Sequence, residues 1–314
     1  MSADSIATEE LQDTTALAPV SAWERFSFAS LRAVVYGLAC VLTLPGLYRF
    51  GQVFGFVEWA INFKRRRRFA ARLRSLIGPD LPASAVREAT LAHFIRTRCD
   101  KLIYLIFDLL PKEQMLGRFT IVNRRLLDEA LARGKGVYVA LSHHGAHHVA
   151  GLMMSLLGYK VAGVRDRQEG AVRRYIQAMY ERRYEELRQA RILYSHSFPR
   201  DIYRCFRENF ALGSALDIHR ERDAHLKTAT VDFCGQKREF LTGTAQIALR
   251  CGAPILQGFI VAEPQFRYRL EIHGPLADAD HAGETPELLQ QVMQQYADNV
   301  ERYIRAYPAE ITKV

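Results

Sequence analysis

The tract "VALSHHGAHHVAG", residues 139–151, places four of the chain's ten histidines within six positions, His143 to His148. An imidazole titrates near neutrality, at about 6.5, so such a cluster suits proton transfer or metal ligation. Three readings fit the pattern. One is a polar turn with helix-facing histidines. A second is a metal site. His144 and His148 stand at i and i+4 and can bind zinc from one helix face, although no Glu lies between them and a third ligand must come from elsewhere. The third is acid/base catalysis on a hydroxyl. A histidine at a strand end, held by a second group one helical turn later, can take the proton from an alcohol while that oxygen attacks an activated carbonyl. Backbone amides at the start of the following helix can then steady the oxyanion.

The surrounding pattern supplies the strand and the helix. "GVYVALS" (136–142) is a short apolar run after a Gly-Lys-Gly turn, and "AHHVAGLMMSLLG" has helical periodicity closed by Gly158. Further strands are expected at "YKVAGV" (159–164), "RILYS" (191–195), "GSALDIH" (213–219) and "APILQGFIVAE". "ATVDFCG" (229–235) is expected to pair beside "GSALDIH", and "RYRLEIHG" to form an edge strand. Helices are expected between them, with a last one from about Thr285 to Tyr307. Strands alternating with helices at this spacing predict an α/β fold with a mostly parallel sheet flanked by helices. Reactive groups in such sheets gather at the carboxyl ends of strands, where the histidines fall.

Composition narrows the partners. The net charge of +9 over 314 residues, mostly from arginine, predicts an anionic partner such as a membrane surface or an acidic carrier. No recognised nucleic-acid module is visible. Five scattered cysteines without a C-x-x-C pair point to a reducing compartment. Residues 1–22 read as a disordered acidic tail. Residues 23–69 read as a membrane-anchoring or interfacial segment with a basic flank, and residues 70–314 as the catalytic domain. Within the anchor, Ala33–Tyr48 is apolar but carries Pro45 and falls short of the roughly 20 residues of a spanning helix. The run Lys64–Arg68 follows, as expected of an anchor whose downstream side meets anionic head groups in the cytoplasm.

The histidine tract resembles the H-x-x-x-x-[DE] block of the bacterial lysophospholipid and lipid A acyltransferases, the lauroyl/myristoyl transferase branch. A second block agrees, for "SALDIHRERD" is similar to the family's strand ending in Asp before a polar loop. "VDFCGQKREFLTGTAQIALRCGAPILQGF" is similar to its Phe-Phe-Gly, Thr-x-x-Gly-x-Ala and Gly-Ala-Pro sequence, through Phe233, Gly235, Gly243, Ala245 and Gly252-Ala253-Pro254. "GVRDR" (163–167) resembles its Arg-containing strand end. The resemblance implies a glycerolipid acyltransferase-like fold on the cytoplasmic face of a bacterial inner membrane. It implies O-acyl transfer from an acyl carrier protein or coenzyme A thioester to a hydroxyl of a lipid acceptor, with no metal or organic cofactor. It makes His143 the general base and Gly145 the motif glycine. His148 stands where the family has its acid and is expected to be the catalytic partner of His143 in its place, orienting the ring, with Asp166 or Asp217, both at expected strand ends, as sources of the missing charge from another loop. Arg165, Asp217 and Arg220 are expected to hold the head group or the catalytic constellation. The altered motif also leaves open an inactive or repurposed member, or a metal-binding protein using the His143–His148 cluster.

Overall fold

In the computed structural model, residues 20–165, 170–194, 199–217, 227–278 and 284–312 are described, apart from the side chains of His148, Arg165 and Tyr194. Helix α1 (Ala22–Ile61) starts at a capping box: Ser21 Oγ accepts from the Glu24 amide while the Glu24 carboxylate accepts from the Ser21 amide. It continues for 40 residues through Pro45, with its backbone leaving helical geometry at Thr43 (φ 59°). A proline removes an amide donor and crowds the turn before it, which accounts for a break at this point. The apolar tract 33–48 is therefore part of a longer, broken helix. The expected tail falls outside the described residues for 1–19, while Ser21 and Ala22 already belong to the start of α1.

One face of α1 packs on α3 (Ala83–Ile106). A Cβ at Gly55 would come within 2.5 Å of Ile95 Cα, and one at Gly51 within 2.8 Å of Cys99 Sγ, so the two glycines set how closely the helices approach. The opposite end of α1 is held by a buried ion pair, Arg32 to Asp108 at 2.8 Å. Between these helices lies α2 (Phe63–Ile77), which carries the basic run Lys64–Arg68. The outward face of α1 is bare and apolar, including Trp23, Phe26, Val34, Val41, Val53 and Ile61.

After the short helix α4 (Lys112–Leu116) come β1 (Phe119–Val122), α5 (Arg124–Ala132), β2 (Val137–Leu141), α6 (His147–Leu156) and β3 (Val161–Arg165). Then follow α7 (Ala171–Arg183), α8 (Glu185–Arg188), β4 (Arg191–Tyr194), α9 (Pro199–Arg207) and β5 (Ala211–Ala215). The last part holds β6 (Thr228–Phe233), β7 (Gln236–Leu241), α10 (Gly243–Arg250), β8 (Ile255–Glu263), β9 (Arg267–Ala277) and α11 (Pro286–Ala306). The main sheet has seven strands in the order β1-β9-β8-β2-β5-β3-β4. β8, β2, β5, β3 and β4 run parallel, β9 turns back antiparallel on β8, and β1 runs alongside β9. The fold is thus the expected α/β arrangement with a mostly parallel sheet.

Two strands depart from expectation. β9 is not an edge, because the four-residue β1 covers it. β6 does not pair beside β5 but forms a separate hairpin with β7, closed by Cys234 and Gly235. Both turn residues have positive φ (53° and 73°), the geometry that a two-residue hairpin connection favours because its twist matches the strands.

Alternation along β2 divides the core. Tyr138 and Ala140 pack into the layer built with α9, α10 and α11, whereas Val137 and Val139 face the layer built with α5, α6, the second half of α3 and α1. The sheet is covered on both faces, and chemistry is left to its edges.

Candidate active site

The sheet register brings two expected residues together. β2 and β5 are adjacent and parallel, with Leu141 opposite Ala215. His143 and Asp217 each lie two residues beyond that pair, so both emerge side by side at the carboxyl ends of neighbouring strands. The Asp217 side chain is fully buried while that of His143 keeps 15% of its surface. A buried carboxylate is costly unless its oxygens are bonded. Here Oδ2 accepts the His143 backbone amide at 2.8 Å and Oδ1 faces His143 Nδ1 at 2.9 Å. Since an ionised carboxylate only accepts, Nδ1 carries the proton, and Nε2 is left as the basic nitrogen.

The floor of this corner is polar and bonded. Tyr138 Oη lies 2.8 Å from Ser214 Oγ, and Tyr296 Oη donates to the Leu141 carbonyl at 2.7 Å. Burial first, and then the Asp217 charge, push the Tyr296 phenol well above its ordinary range, which keeps it a neutral donor.

His144 points the other way. It is 1% exposed, and its Nε2 donates to the Tyr307 carbonyl at 3.0 Å. Burial lowers its pKa to about 4, so the ring is neutral and structural at pH 7. With Nε2 committed inward, His144 is poorly placed to share an outward metal with His148. Among the described residues no group of three or more His, Cys, Asp or Glu is arranged to hold a metal ion.

Gly145 has a backbone reason to be glycine. Its φ is +78°, and a Cβ there would stand 1.9 Å from the Ile260 carbonyl oxygen on β8. Its amide is bonded to the Glu310 carbonyl at 2.8 Å. The amides of His143 and Gly145 are therefore both spent inside the protein, and an oxyanion has to look to the first turn of α6 instead.

The remaining candidates are distributed unevenly. His148 is the second residue of α6, and its side chain lies outside the described residues. Arg165 ends β3, two strands from β2 on the same edge of the sheet, with its side chain also outside them. Asp166 and Arg220 fall wholly outside. His147 was not singled out in advance, yet its ring lies 5.5 Å from that of His143, centroid to centroid, at 70°. Also missed was the segment 307–312, whose backbone lies against the histidine loop. Its sequence, "YPAEIT", carries no signal of this.

A sequence model of the family described as bacterial lipid A biosynthesis acyltransferase matches residues 27–312. A search among curated proteins finds no match.

Proposed function

The chain belongs to the bacterial lipid A biosynthesis acyltransferase family and is an acyltransferase, and on that premise we propose that it moves a fatty acyl chain from an acyl carrier protein or coenzyme A thioester to a hydroxyl of a lipid acceptor. The observation that carries the reading is the His143–Asp217 pair. Nε2 of His143 takes the proton of the acceptor hydroxyl as its oxygen adds to the thioester carbonyl. Asp217 holds the ring in the required tautomer and offsets the positive charge that develops on it. Collapse of the tetrahedral intermediate breaks the C–S bond, and the imidazolium returns its proton to the departing thiolate. Helix α6 offers its first turn, with its partial positive charge, to the oxyanion.

The carboxylate that His148 displaces from the motif is thus supplied by Asp217 from the next strand. Asp217 belongs to the catalytic constellation, and head-group recognition falls to Arg165 and Arg220, since planar guanidinium suits phosphate.

Membrane association is part of this reading and is supported by α1, which is long and apolar enough to cross a bilayer. We place it in the plane of the membrane. From Phe28, whose ring centre lies 5.6 Å from that of Tyr175 of α7, to Trp59, 8% exposed, one face of the helix is covered by protein. Crossing the bilayer would draw α3, with Arg98 and Lys101, into hydrocarbon. Lying flat, α1 presents its bare face to the acyl chains and Lys64–Arg68 to anionic head groups. The thioester donors fit the cytoplasmic face of the inner membrane.

The test is an acyl-transfer assay with radiolabelled donor and total membrane lipid. Transfer by the wild type, its loss in His143→Ala, and its persistence in His148→Glu are expected. Transfer appearing only in His148→Glu would sink the reading and mark the wild-type site as disabled.

A further inference from the structure

The loop that carries His143 is held from both sides, by Asp217 and by the end of the chain. Thr312 donates its amide to the His143 carbonyl at 2.9 Å, and its hydroxyl donates to the same oxygen. The Glu310 carbonyl takes the Gly145 amide at 2.8 Å, the Tyr307 carbonyl takes His144 Nε2 at 3.0 Å, and Ile311 pairs with His144 as a short antiparallel bridge. Four residues of this segment, Tyr307, Glu310, Ile311 and Thr312, thus meet three consecutive residues of the loop.

The other side of this segment is tied to the body. Arg72 of α2 donates to the Thr312 carbonyl at 2.9 Å, and His93 and Arg96 of α3 donate to the Ala309 carbonyl at 3.0 and 3.2 Å. Ile311 is fully buried, and Glu310 is 4% exposed, with one oxygen 3.2 Å from Arg96. A mere surface tail has no such anchorage. Peptide groups tied to α2 and α3 on one side and to the His143 loop on the other transmit the position of the helices to the loop.

We propose that the segment Tyr307–Thr312 is a positioning element for the catalytic histidine, with Thr312 the residue that fixes the His143 peptide through its carbonyl. The proposal rests on His143 being the general base. Asp217 restrains the ring and the amide of His143, and Thr312 restrains its carbonyl, so the three restraints together leave the imidazole little freedom to rotate away from an acceptor hydroxyl. A misplacement of less than an ångström at a reacting group slows chemistry without weakening binding. Thr312 is therefore expected to act on kcat and not on KM.

The experiment compares wild type with Thr312→Val, which keeps the amide and the shape but loses the hydroxyl, and with Thr312→Ser, which restores it. Steady-state transfer from a thioester donor to dispersed lipid acceptor is measured together with thermal melting. Amide hydrogen exchange is followed in the peptide covering residues 139–149. In Thr312→Val, kcat should fall about fivefold to tenfold, the value of one lost hydrogen bond. KM should stay within about twofold, exchange in the loop peptide should rise, and Thr312→Ser should return to wild-type values. Unchanged kcat and unchanged loop exchange in Thr312→Val would overturn the proposal. So would a loss that Thr312→Ser fails to rescue, or one that appears in KM alone. Should the wild type show no transfer at all, the functional reading fails first, and the exchange data still decide whether Thr312 restrains the loop.

Discussion

The corner around His143 and the outward face of α1 are opposite kinds of surface on one chain. In the corner, Asp217 is fully buried and both its oxygens are engaged by a single residue. Along α1, apolar side chains such as Val41, 81% exposed, and Ile61, 69% exposed, stand largely clear of the protein. The first surface works by direction, because hydrogen bonds weaken steeply once distance or angle slips. The second works by area, because transfer of apolar surface from water is proportional to what is buried and indifferent to orientation. Substitutions that keep shape but alter a hydrogen bond should therefore be ruinous in the corner, whereas on the helix shape should matter little and only an added charge should tell.

The largest effect is expected from Asp217→Asn. The amide is nearly isosteric, yet it no longer offsets the imidazolium charge and can present a donor where an acceptor is needed. Transfer should drop about 10³- to 10⁴-fold with melting little changed. A loss below tenfold would remove Asp217 from the mechanism and blur the contrast drawn here.

A smaller effect, and on a different property, is expected on α1. Val34→Asp, Val41→Asp and Val53→Asp each place a charge on the bare face, at positions 61%, 81% and 63% exposed. Binding to vesicles containing anionic lipid should weaken at least about tenfold per substitution, with kcat on detergent-dispersed acceptor unchanged. Flotation or sedimentation with vesicles reads the first quantity. Equal binding by wild type and variants would show that the face is not the one that meets lipid.

The mildest test is acid. Burial lowers His93 to about 3 and His144 to about 4, from an ordinary 6.5. Both rings are neutral when folded and take up a proton more readily when unfolded. Their contribution is complete above pH 6.5 and is lost as pH falls toward 4 and 3, each at about 1.4 kcal/mol per pH unit. Glu310 has the opposite sign, for burial raises it to about 7 from 4.5, so its contribution is present below 4.5 and lost as pH rises through 7. Between 6.5 and 4.5 it offsets one of the two histidines. Denaturant titrations should show stability falling on acidification, and more steeply below 4.5. His93→Gln should flatten the slope, and an unchanged slope would acquit that ring.

The strand, turn and helix around His143 were legible because hydrophobic period and glycine punctuation are local signals. The alternation of strands and helices made the parallel sheet legible for the same reason. Asp217 was legible as one of two strand-end acids, but choosing it over Asp166 needs the Leu141–Ala215 register, a property of two strands joined through four intervening helices and two strands. β1 escaped because four residues, FTIV, are too short to show a period. The bond from Thr312 to His143 spans 169 residues and follows from no pattern near either end. The broken course of α1 was only half legible: Pro45 announces a disturbance, whereas the glycines that bring the helix onto α3 matter only once α3 is in place.

The ion pair between Arg32 and Asp108 gives the chain a sequence of assembly. As α1 leaves the ribosome it carries an arginine in an otherwise apolar stretch, 76 residues ahead of the carboxylate that neutralises it. Until Asp108 has been made and α3 has folded against α1, that guanidinium has to keep its water, since an unpaired charge is barred from hydrocarbon. On the proposed interfacial placement, the helix consequently enters the leaflet as the last act of folding, together with the domain it carries. In that order of events, a finished enzyme is what would be delivered to the membrane.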